Sequence, residues 1–206
     1  MSAKLSILII EDEKNICDFI AAALMNQDYR VFKSYSGMDG LSQITSRCPD
    51  ILLLDLGLPD MDGTDIIRKV RKWSAMPVIV ISARTLENEK VLALDLGADD
   101  YITKPFGTSE LLARIRTAVR HLTRINATNS TSHIFRASGL VIDFDRRRIT
   151  VHEQEVHLTQ VEYKIVSMLA NNSGKVITYD ALISHVWGPY ADDNNRILRV
   201  NMANIR

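Results

Sequence analysis

The sequence is poor in cysteine and in long apolar segments. Its 206 residues contain two cysteines, Cys17 and Cys48, which give neither a disulfide framework nor the spacing of a cysteine metal site. Isolated thiols suit a reducing compartment, where they pack as small apolar side chains. No segment approaches the roughly 20 apolar residues that span a bilayer, and the apolar stretch near the start is too short for a secretory signal. We therefore expect a cytoplasmic protein.

The sequence also lacks net charge, because 25 Lys and Arg balance 25 Asp and Glu. The charges are slightly uneven along the chain: 15 basic and 17 acidic residues precede position 121, and 10 basic and 8 acidic residues follow. This difference in charge is consistent with an acidic site in the first half and with an anionic partner for the second half. It is too small to identify either.

Short apolar runs alternate with helical patterns through the first half of the chain. The apolar runs lie at residues 5–10, 31–32, 51–56, 77–81 and 100–103. Between them, apolar residues recur at the spacing of a helix that buries one face. Strands that are apolar on both faces, each followed by a helix, indicate a parallel sheet covered by helices on both sides. The first half is therefore predicted to be an α/β domain.

The pattern changes in the second half. Residues 122–134 are rich in Asn, Ser and Thr and have no apolar period, so we predict an interdomain linker there. Short alternating strands follow, and then a capping box with Thr159 as N-cap and Glu162 three residues on. Two more helical patterns, the second beginning near Arg196, complete an α+β module over 135–206.

Charged and polar residues follow the strands of the predicted parallel sheet. They are Glu11 and Asp12, Asp55, Ser82 and Lys104. Because ligands of open parallel sheets bind at the carboxyl ends of the strands, these groups should lie together. Three adjacent carboxylates need a compensating cation, and Mg²⁺ suits a site with few carboxylates and several waters. A carboxylate beside a metal and an ammonium group is also suited to attack a phosphoryl group.

Each of these residues alone has an ordinary structural explanation. Glu11 and Asp12 are equally typical of the first turn of a helix. Lys104 alone is typical of a solvated surface and Ser82 of a loop, and Tyr101 alone is typical of a core. The functional interpretation depends on four strands that deliver complementary groups to one edge of the sheet.

This combination resembles the receiver domain of two-component response regulators. The residues that carry the resemblance are Glu11-Asp12, Asp55, Ser82-Ala83 and Lys104-Pro105-Phe106. It implies a flavodoxin-like (βα)5 domain over residues 1–121, with a five-stranded parallel sheet in the order 2-1-3-4-5. It also implies that a sensor histidine kinase phosphorylates Asp55.

The resemblance further implies individual roles in the first domain. Mg²⁺ would be bound by Asp12, Asp55 and the main-chain carbonyl of Gly57, with Glu11 in outer support. The phosphoryl group would be contacted by Lys104 and by Ser82, which would form a switch pair with Tyr101. The phosphorylated receiver would form a homodimer, with Lys90 facing Glu110, and Asp99 or Asp100 facing Arg114 or Arg120.

The second half resembles the winged helix–turn–helix effector domain of the OmpR/PhoB type, through residues 157–188. Its third helix would be the recognition helix, with Leu198, Met202 and Ile205 towards the core. The DNA-facing residues would be Arg196, Arg199, Asn201, Ala203, Asn204 and Arg206. Arginine and asparagine on one helical face suit base edges and phosphates in the major groove. The alternative is a merely solvated basic face.

The two resemblances together imply a transcriptional regulator that phosphorylation activates and that is not an enzyme. Promoter DNA and RNA polymerase are its implied partners. Within the family, the stretches 71–84 and 185–189 are most similar to regulators of potassium-transport operons. The family continues beyond its third helix into a hairpin wing, whereas this chain ends at Arg206. We therefore expect an effector domain, 135–206, that lacks its C-terminal hairpin.

Two other functions stay open at this point. Residues 60–64 spell the D-x-D-G-T of aspartate-nucleophile phosphatases. That motif needs its first aspartate at the end of an apolar strand, but Gly57 and Pro59 separate Asp60 from the strand here. A receiver that serves only in a phosphorelay or in protein interaction would be the remaining alternative if residues 121–206 did not fold.

Overall fold

The computed structural model describes residues 4–128, 134–188 and 196–205. The chain divides into two compact units, one formed by residues 4–119 and the other mainly by residues from 120 onwards. Each unit has a hydrophobic core of its own. Among the described residues, no helix is both long enough and apolar enough to cross a membrane.

The first unit alternates strands and helices. Its strands are β1 (Ser6–Ile10), β2 (Arg30–Ser34), β3 (Ile51–Leu54), β4 (Val78–Ser82) and β5 (Asp100–Thr103). Its helices are α1 (Lys14–Met25), α2 (Gly37–Arg47), α3 (Gly63–Arg71), α4 (Glu87–Asp95) and α5 (Thr108–Thr128). All strand pairs are parallel, in the order β2-β1-β3-β4-β5. The predicted fold and strand order are confirmed.

The central strands of this sheet are buried along their whole length. Every residue of β1, β3 and β4 is buried, because helices cover both faces of a parallel sheet. Each fully buried Leu, Ile or Val side chain contributes roughly 1.5–3 kcal/mol relative to an exposed one. This packing fixes the positions of the strand ends, and therefore the positions of the residues that follow them.

Capping side chains begin two helices of the first unit, and a glycine follows the end of a third. The Ser36 side chain caps α2 by accepting a hydrogen bond from Asp39 N–H, and the Asp62 side chain caps α3 by accepting one from Thr64 N–H. Gly97, at φ +106°, follows the end of α4, where a residue without Cβ adopts the left-handed backbone at little cost.

The last helix of the first unit is longer than predicted. We predicted a linker at 122–134, but α5 continues through Thr128. The segment has neither Gly nor Pro, and extending an established helix is much easier than starting one. Its lack of an apolar period therefore did not end the helix. Residues 129–133 of the predicted linker lie outside the described residues.

The second unit is an antiparallel sheet followed by helices. Its strands, β6 (Ile134–Ala137), β7 (Leu140–Asp143), β8 (Arg148–Val151) and β9 (Gln154–Val156), pair in sequence order. The helices are α6 (Gln160–Asn171), α7 (Tyr179–Trp187) and α8 (Arg196–Ile205). Ile142, Phe144 and Ile149 of the sheet region form a core with Tyr163 of α6. The capping box of Thr159 and Glu162 is present at the start of α6.

Candidate functional site

The carboxyl end of the parallel sheet brings a lysine between two carboxylates. Glu11 follows β1, Asp55 follows β3 and Lys104 follows β5. The Lys104 ammonium nitrogen lies 2.7 Å from Asp55 Oδ2 and 2.8 Å from Glu11 Oε2. Carboxylate oxygens of Glu11, Asp12 and Asp55 lie within 4.8 Å of one another. The structure therefore brings together the acidic residues and the lysine that the sequence pointed to.

Burial and hydrogen bonding shift the pKa values of Glu11 and Lys104 in this cluster. Glu11, Asp55 and Lys104 have side chains that are only 2%, 8% and 10% exposed. Burial raises the pKa of Glu11 to about 7, and the charge of Asp55 adds to this, while Lys104 opposes it. Burial lowers the pKa of Lys104, but its hydrogen bonds to Asp55 and Glu11 outweigh that effect and raise it. The lysine is therefore held as a cation beside an excess of carboxylates.

The backbone around Asp55 is fixed by close packing. Gly57 N–H donates to Asp55 Oδ1 at 3.1 Å, and Gly57 itself is exposed at the rim of the site. Gly63, at the start of α3, packs against the same segment: a Cβ at Gly63 would lie 2.5 Å from the Asp55 carbonyl oxygen and 2.8 Å from Leu56 Cα. Only a residue without a side chain fits such an approach. This glycine was not singled out from the sequence.

Ser82 and Tyr101 both contact Arg84. Ser82 ends β4, is 1% exposed, and its Oγ accepts a hydrogen bond from Arg84 N–H at 3.3 Å. The Tyr101 hydroxyl donates to the Arg84 carbonyl at 2.9 Å, and Lys90 Nζ lies 5.9 Å from the centre of the Tyr101 ring. Arg84 was not predicted as a site residue, because an arginine in a loop has no distinguishing sequence pattern.

The residues of the predicted dimer face make contacts within their own unit. Arg114 pairs with Asp100 and with Glu110, each at 2.8 Å. Asp99 does not pair with Arg114 there. It pairs with Arg71 of α3 at 2.7 Å and accepts from Val78 N–H, because it precedes β5 at the amino end of the sheet. Arg120 is exposed.

The phosphatase-like motif has structural roles. Asp60 accepts hydrogen bonds from Gly37 N–H at 2.7 Å and Met38 N–H at 2.8 Å, and these bonds hold the pKa of Asp60 below its ordinary value. It thus caps the start of α2 from another loop. Asp62 caps α3. Asp60 does not end a strand, so the geometry of a phosphatase nucleophile is absent at this position.

Helix α8 presents most of its predicted polar face to solvent. Arg196, Arg199 and Ala203 are exposed, while Leu198 is buried. Met202 and Ile205 are half-buried, so the predicted orientation of the helix is observed. The predicted residue Arg206 lies outside the described residues.

The two predicted asparagines of α8 are engaged within the chain. Asn201 Nδ2 donates to the Ile197 carbonyl of its own helix at 2.8 Å. The Asn204 side chain lies close enough to Glu162 to lower the pKa of that carboxyl group.

Comparison with known families identifies the first unit. Residues 7–116 match the model of the response regulator receiver domain. This chain belongs to the response regulators. Residues 153–206 of this response regulator match a second model, transcriptional regulatory protein, C terminal. The expectation of an effector domain cut short before its hairpin is contradicted by this finding, because the match extends through residue 206.

Curated relatives cover nearly the whole response regulator. The KDP operon transcriptional regulatory protein KdpE of Escherichia coli is 45% identical over 201 residues, 98% of this chain and 88% of the relative. The transcriptional regulatory protein KdpE of Mycobacterium tuberculosis is 40% identical over 200 residues, 97% of this chain and 88% of the relative. The response regulator ArlR of Staphylococcus aureus is 37% identical over the same shares of the two chains.

Solved structures agree with this family. The response regulator DrrB of Thermotoga maritima, an OmpR/PhoB homologue, is 26% identical with a TM-score of 0.54, and the match covers 98% of this chain and 88% of that one. The BeF3-activated receiver domain of Klebsiella pneumoniae RstA is 32% identical with a TM-score of 0.54, covering 56% of this chain and 98% of that one.

The family defines the general function. This response regulator is a phosphorylation-dependent, DNA-binding regulator of transcription, with a kinase and DNA as partners. The interpretation as a regulator and not an enzyme is confirmed by these relatives. The receiver-only alternative is excluded, because a transcriptional-regulator domain follows the receiver.

Proposed function

We propose that Asp55 is the phosphoacceptor of this regulator. The observation that carries the proposal is the contact of 2.7 Å between the Asp55 carboxylate and the buried Lys104 ammonium. An Asp55 oxygen attacks the phosphorus of a phosphohistidine on the sensor kinase, and the N–P bond breaks as the O–P bond forms. Lys104 stabilises the charge on the phosphoryl oxygens, and the Ser82 hydroxyl donates a hydrogen bond to one of them.

A divalent cation fits the same site. The described cluster has three carboxylates and one ammonium group, which is an excess of negative charge that favours a cation. Hard oxygen donors at a partly exposed rim are typical of Mg²⁺. We propose that Asp12, Asp55 and the Gly57 carbonyl would hold Mg²⁺, with Glu11 in outer support. When bound, the ion would supply charge neutralisation for phosphoryl transfer.

An aspartate pair offers a direct test of the phosphoacceptor. Asp55→Asn should abolish labelling by acetyl phosphate in the presence of Mg²⁺, read on a phosphate-affinity gel. The matched control is Asp60→Asn, which changes the aspartate of the phosphatase-like motif and should leave labelling intact. Full labelling of Asp55→Asn would contradict the assignment of Asp55 as the phosphoacceptor. Loss of labelling in Asp60→Asn alone would support the phosphatase interpretation instead.

The proposal extends to the partners of the phosphorylated protein. We infer that, in the cytoplasm, a sensor histidine kinase phosphorylates Asp55, that Ser82 and Tyr101 then act as a switch pair, and that the receiver forms a homodimer. The α4–β5–α5 surface would carry the dimer through Lys90, Asp99, Asp100, Glu110, Arg114 and Arg120. RNA polymerase is the expected downstream partner.

The second unit is proposed to bind promoter DNA through α8. Arg196 and Arg199 would contact phosphates or base edges, with Ala203 on the same exposed face and Asn201, Asn204 and Arg206 beside it. The target proposed is a potassium-transport operon, and the support is the 45% identity to a relative named as a KDP operon regulator.

A further inference from the structure

The side chain of Arg84 joins two loops of the proposed phosphorylation site. Its guanidinium donates to Asp62 Oδ2 at 2.7 Å and to the Leu56 carbonyl at 3.3 Å. Leu56 directly follows Asp55, and Asp62 is the N-cap of α3. A second carboxylate, Glu89 of α4, lies 3.9 Å from the guanidinium. Arg84 therefore ties the loop after β3 to the loop after β4 and to α4.

The backbone of the same residue contacts both members of the proposed switch pair. Arg84 N–H donates to Ser82 Oγ at 3.3 Å, and the Arg84 carbonyl accepts from the Tyr101 hydroxyl at 2.9 Å. One residue therefore contacts the loop after Asp55 through its side chain, and both Ser82 and Tyr101 through its backbone.

Stability is a poor explanation for this arrangement. The side chains of Arg84 and Asp62 are 32% and 39% exposed, and ion pairs that solvent reaches contribute little to stability. The guanidinium also donates a hydrogen bond to the main-chain carbonyl of Leu56, next to Asp55. An ion pair that served stability alone would not need this contact with the loop. What the geometry provides is a fixed distance between two loops.

We propose that the Arg84–Asp62 ion pair is a positioning device that couples the loop after Asp55 to the conformation of Tyr101. The inference rests on the proposed function, since it assigns to the pair the transmission of phosphorylation at Asp55. Arg84 is a positioning residue here: it acts through the loop and through the acceptor of the Tyr101 hydroxyl.

Three substitutions separate the ion pair from other roles of its members. Arg84→Gln removes the charge. Asp62→Asn also removes the charge pair but keeps an N-cap, because Asn caps helices as well as Asp does. Arg84→Lys keeps the charge. The matched control is Arg68→Gln, which breaks an exposed ion pair of 2.8 Å with Asp65 on the same helix, α3.

The readout is the environment of Tyr101 in the full chain. The protein is made with 3-fluorotyrosine, and the ¹⁹F resonance of Tyr101 is assigned among the six tyrosines by Tyr101→Phe. Spectra are taken without phosphodonor and after labelling with acetyl phosphate and Mg²⁺. Thermal unfolding of each variant checks that the fold is intact.

We expect Arg84→Gln and Asp62→Asn to shift or broaden the resting Tyr101 resonance and to cut its response to phosphorylation to less than half. The double variant Arg84→Gln/Asp62→Asn should resemble either single variant, because the effects of two residues that act through one contact are not additive. Arg84→Lys should lie nearer to the wild type than Arg84→Gln does, and Arg68→Gln should match the wild type.

An unchanged Tyr101 resonance in Arg84→Gln, or additive effects in the double variant, would overturn the coupling. The resting spectrum does not require phosphorylation, so it decides the role of the ion pair by itself. Failure of the proposed function is visible separately, as absence of label on the wild-type chain.

Discussion

At the scale of single residues, Lys104 is in contact with two buried carboxylates. Removing one partner of a buried ion pair leaves uncompensated charge and costs about 3–5 kcal/mol. We expect Lys104→Met to lower the free energy of unfolding of the first unit by on the order of 3 kcal/mol without Mg²⁺. A bound cation offsets part of the uncompensated negative charge, so the loss of stability should be smaller with Mg²⁺.

Urea unfolding with and without Mg²⁺ measures this, with the fluorescence of Trp73, which packs on the first core, as the probe. Lys33→Met is the matched control. Its ion pair with Asp18 has side chains 33% and 61% exposed, so its loss should be below about 1 kcal/mol. An equal loss with and without Mg²⁺ would show that the carboxylates do not bind the ion.

A second prediction at this scale concerns Arg199, one of the exposed arginines of α8. Arg199→Ala should weaken binding to promoter DNA by about 1–3 kcal/mol if it contacts a base edge, or reduce the salt slope by about one if it contacts a phosphate. Arg146→Ala, in the turn after β7 with its side chain 80% exposed, is the control. Fluorescence anisotropy at several salt concentrations measures the DNA affinity of both variants. Equal effects of Arg199→Ala and Arg146→Ala would show that α8 is not the DNA-binding helix.

At the scale of secondary structure elements, α3 depends on a glycine at its start. Gly63→Ala would place a Cβ 2.5 Å from the Asp55 carbonyl oxygen, and main chain cannot yield as a flexible side chain can. We expect a loss of about 1–3 kcal/mol in the free energy of unfolding together with slower labelling of Asp55. Gly107→Ala has nothing within 4 Å of its Cβ and serves as the control. Wild-type labelling by Gly63→Ala would show that the loop adapts.

The elements were predictable where a repeated pattern specified them. Apolar runs gave the five strands of the receiver sheet, and a capping box gave the start of α6. The cluster of charged residues was also predictable, because the carboxyl ends of parallel strands lie at one edge of the sheet. Individual side-chain partners did not follow: Asp99 pairs with Arg71, 28 positions away, and Arg84 bridges two loops. Such contacts depend on the packing of distant segments, which no local pattern encodes.

The capping box of α6 makes a pH-dependent prediction. Burial raises the pKa of Glu162, but hydrogen bonds with Thr159 and Asn204 outweigh it and lower the pKa below its ordinary value of 4.5. The lowered folded-state pKa contributes stability that is present above pH 4.5 and is lost as pH falls through the folded value. The difference in unfolding free energy between wild type and Glu162→Gln should therefore be largest above pH 4.5 and shrink below it.

The unfolding of the second unit is followed by the fluorescence of Trp187, which is 3% exposed, in a Trp73→Phe background. Glu153→Gln, in the exposed turn between β8 and β9, is the control for the loss of a carboxylate. A difference between wild type and Glu162→Gln that stays constant as pH falls would show that the charge of Glu162 is not involved.

At the scale of the whole molecule, the two units divide the function between them. The first holds the proposed phosphoacceptor, and the second holds the proposed DNA-binding helix. A receiver dimer would bring two such helices to adjacent half-sites, and the second binding event then becomes intramolecular. The link between phosphorylation and DNA affinity should thus depend on the number of half-sites in the DNA.

We therefore expect phosphorylation to raise affinity for a promoter fragment with two half-sites by about tenfold or more, and for a single half-site by less than about twofold. A footprinted promoter of a potassium-transport operon, cut to leave one half-site, supplies both DNAs for fluorescence anisotropy. Asp55→Asn should show no gain on either. An equal gain on both fragments would mean that phosphorylation changes each DNA-binding unit directly, and that dimerisation is not the source of the affinity.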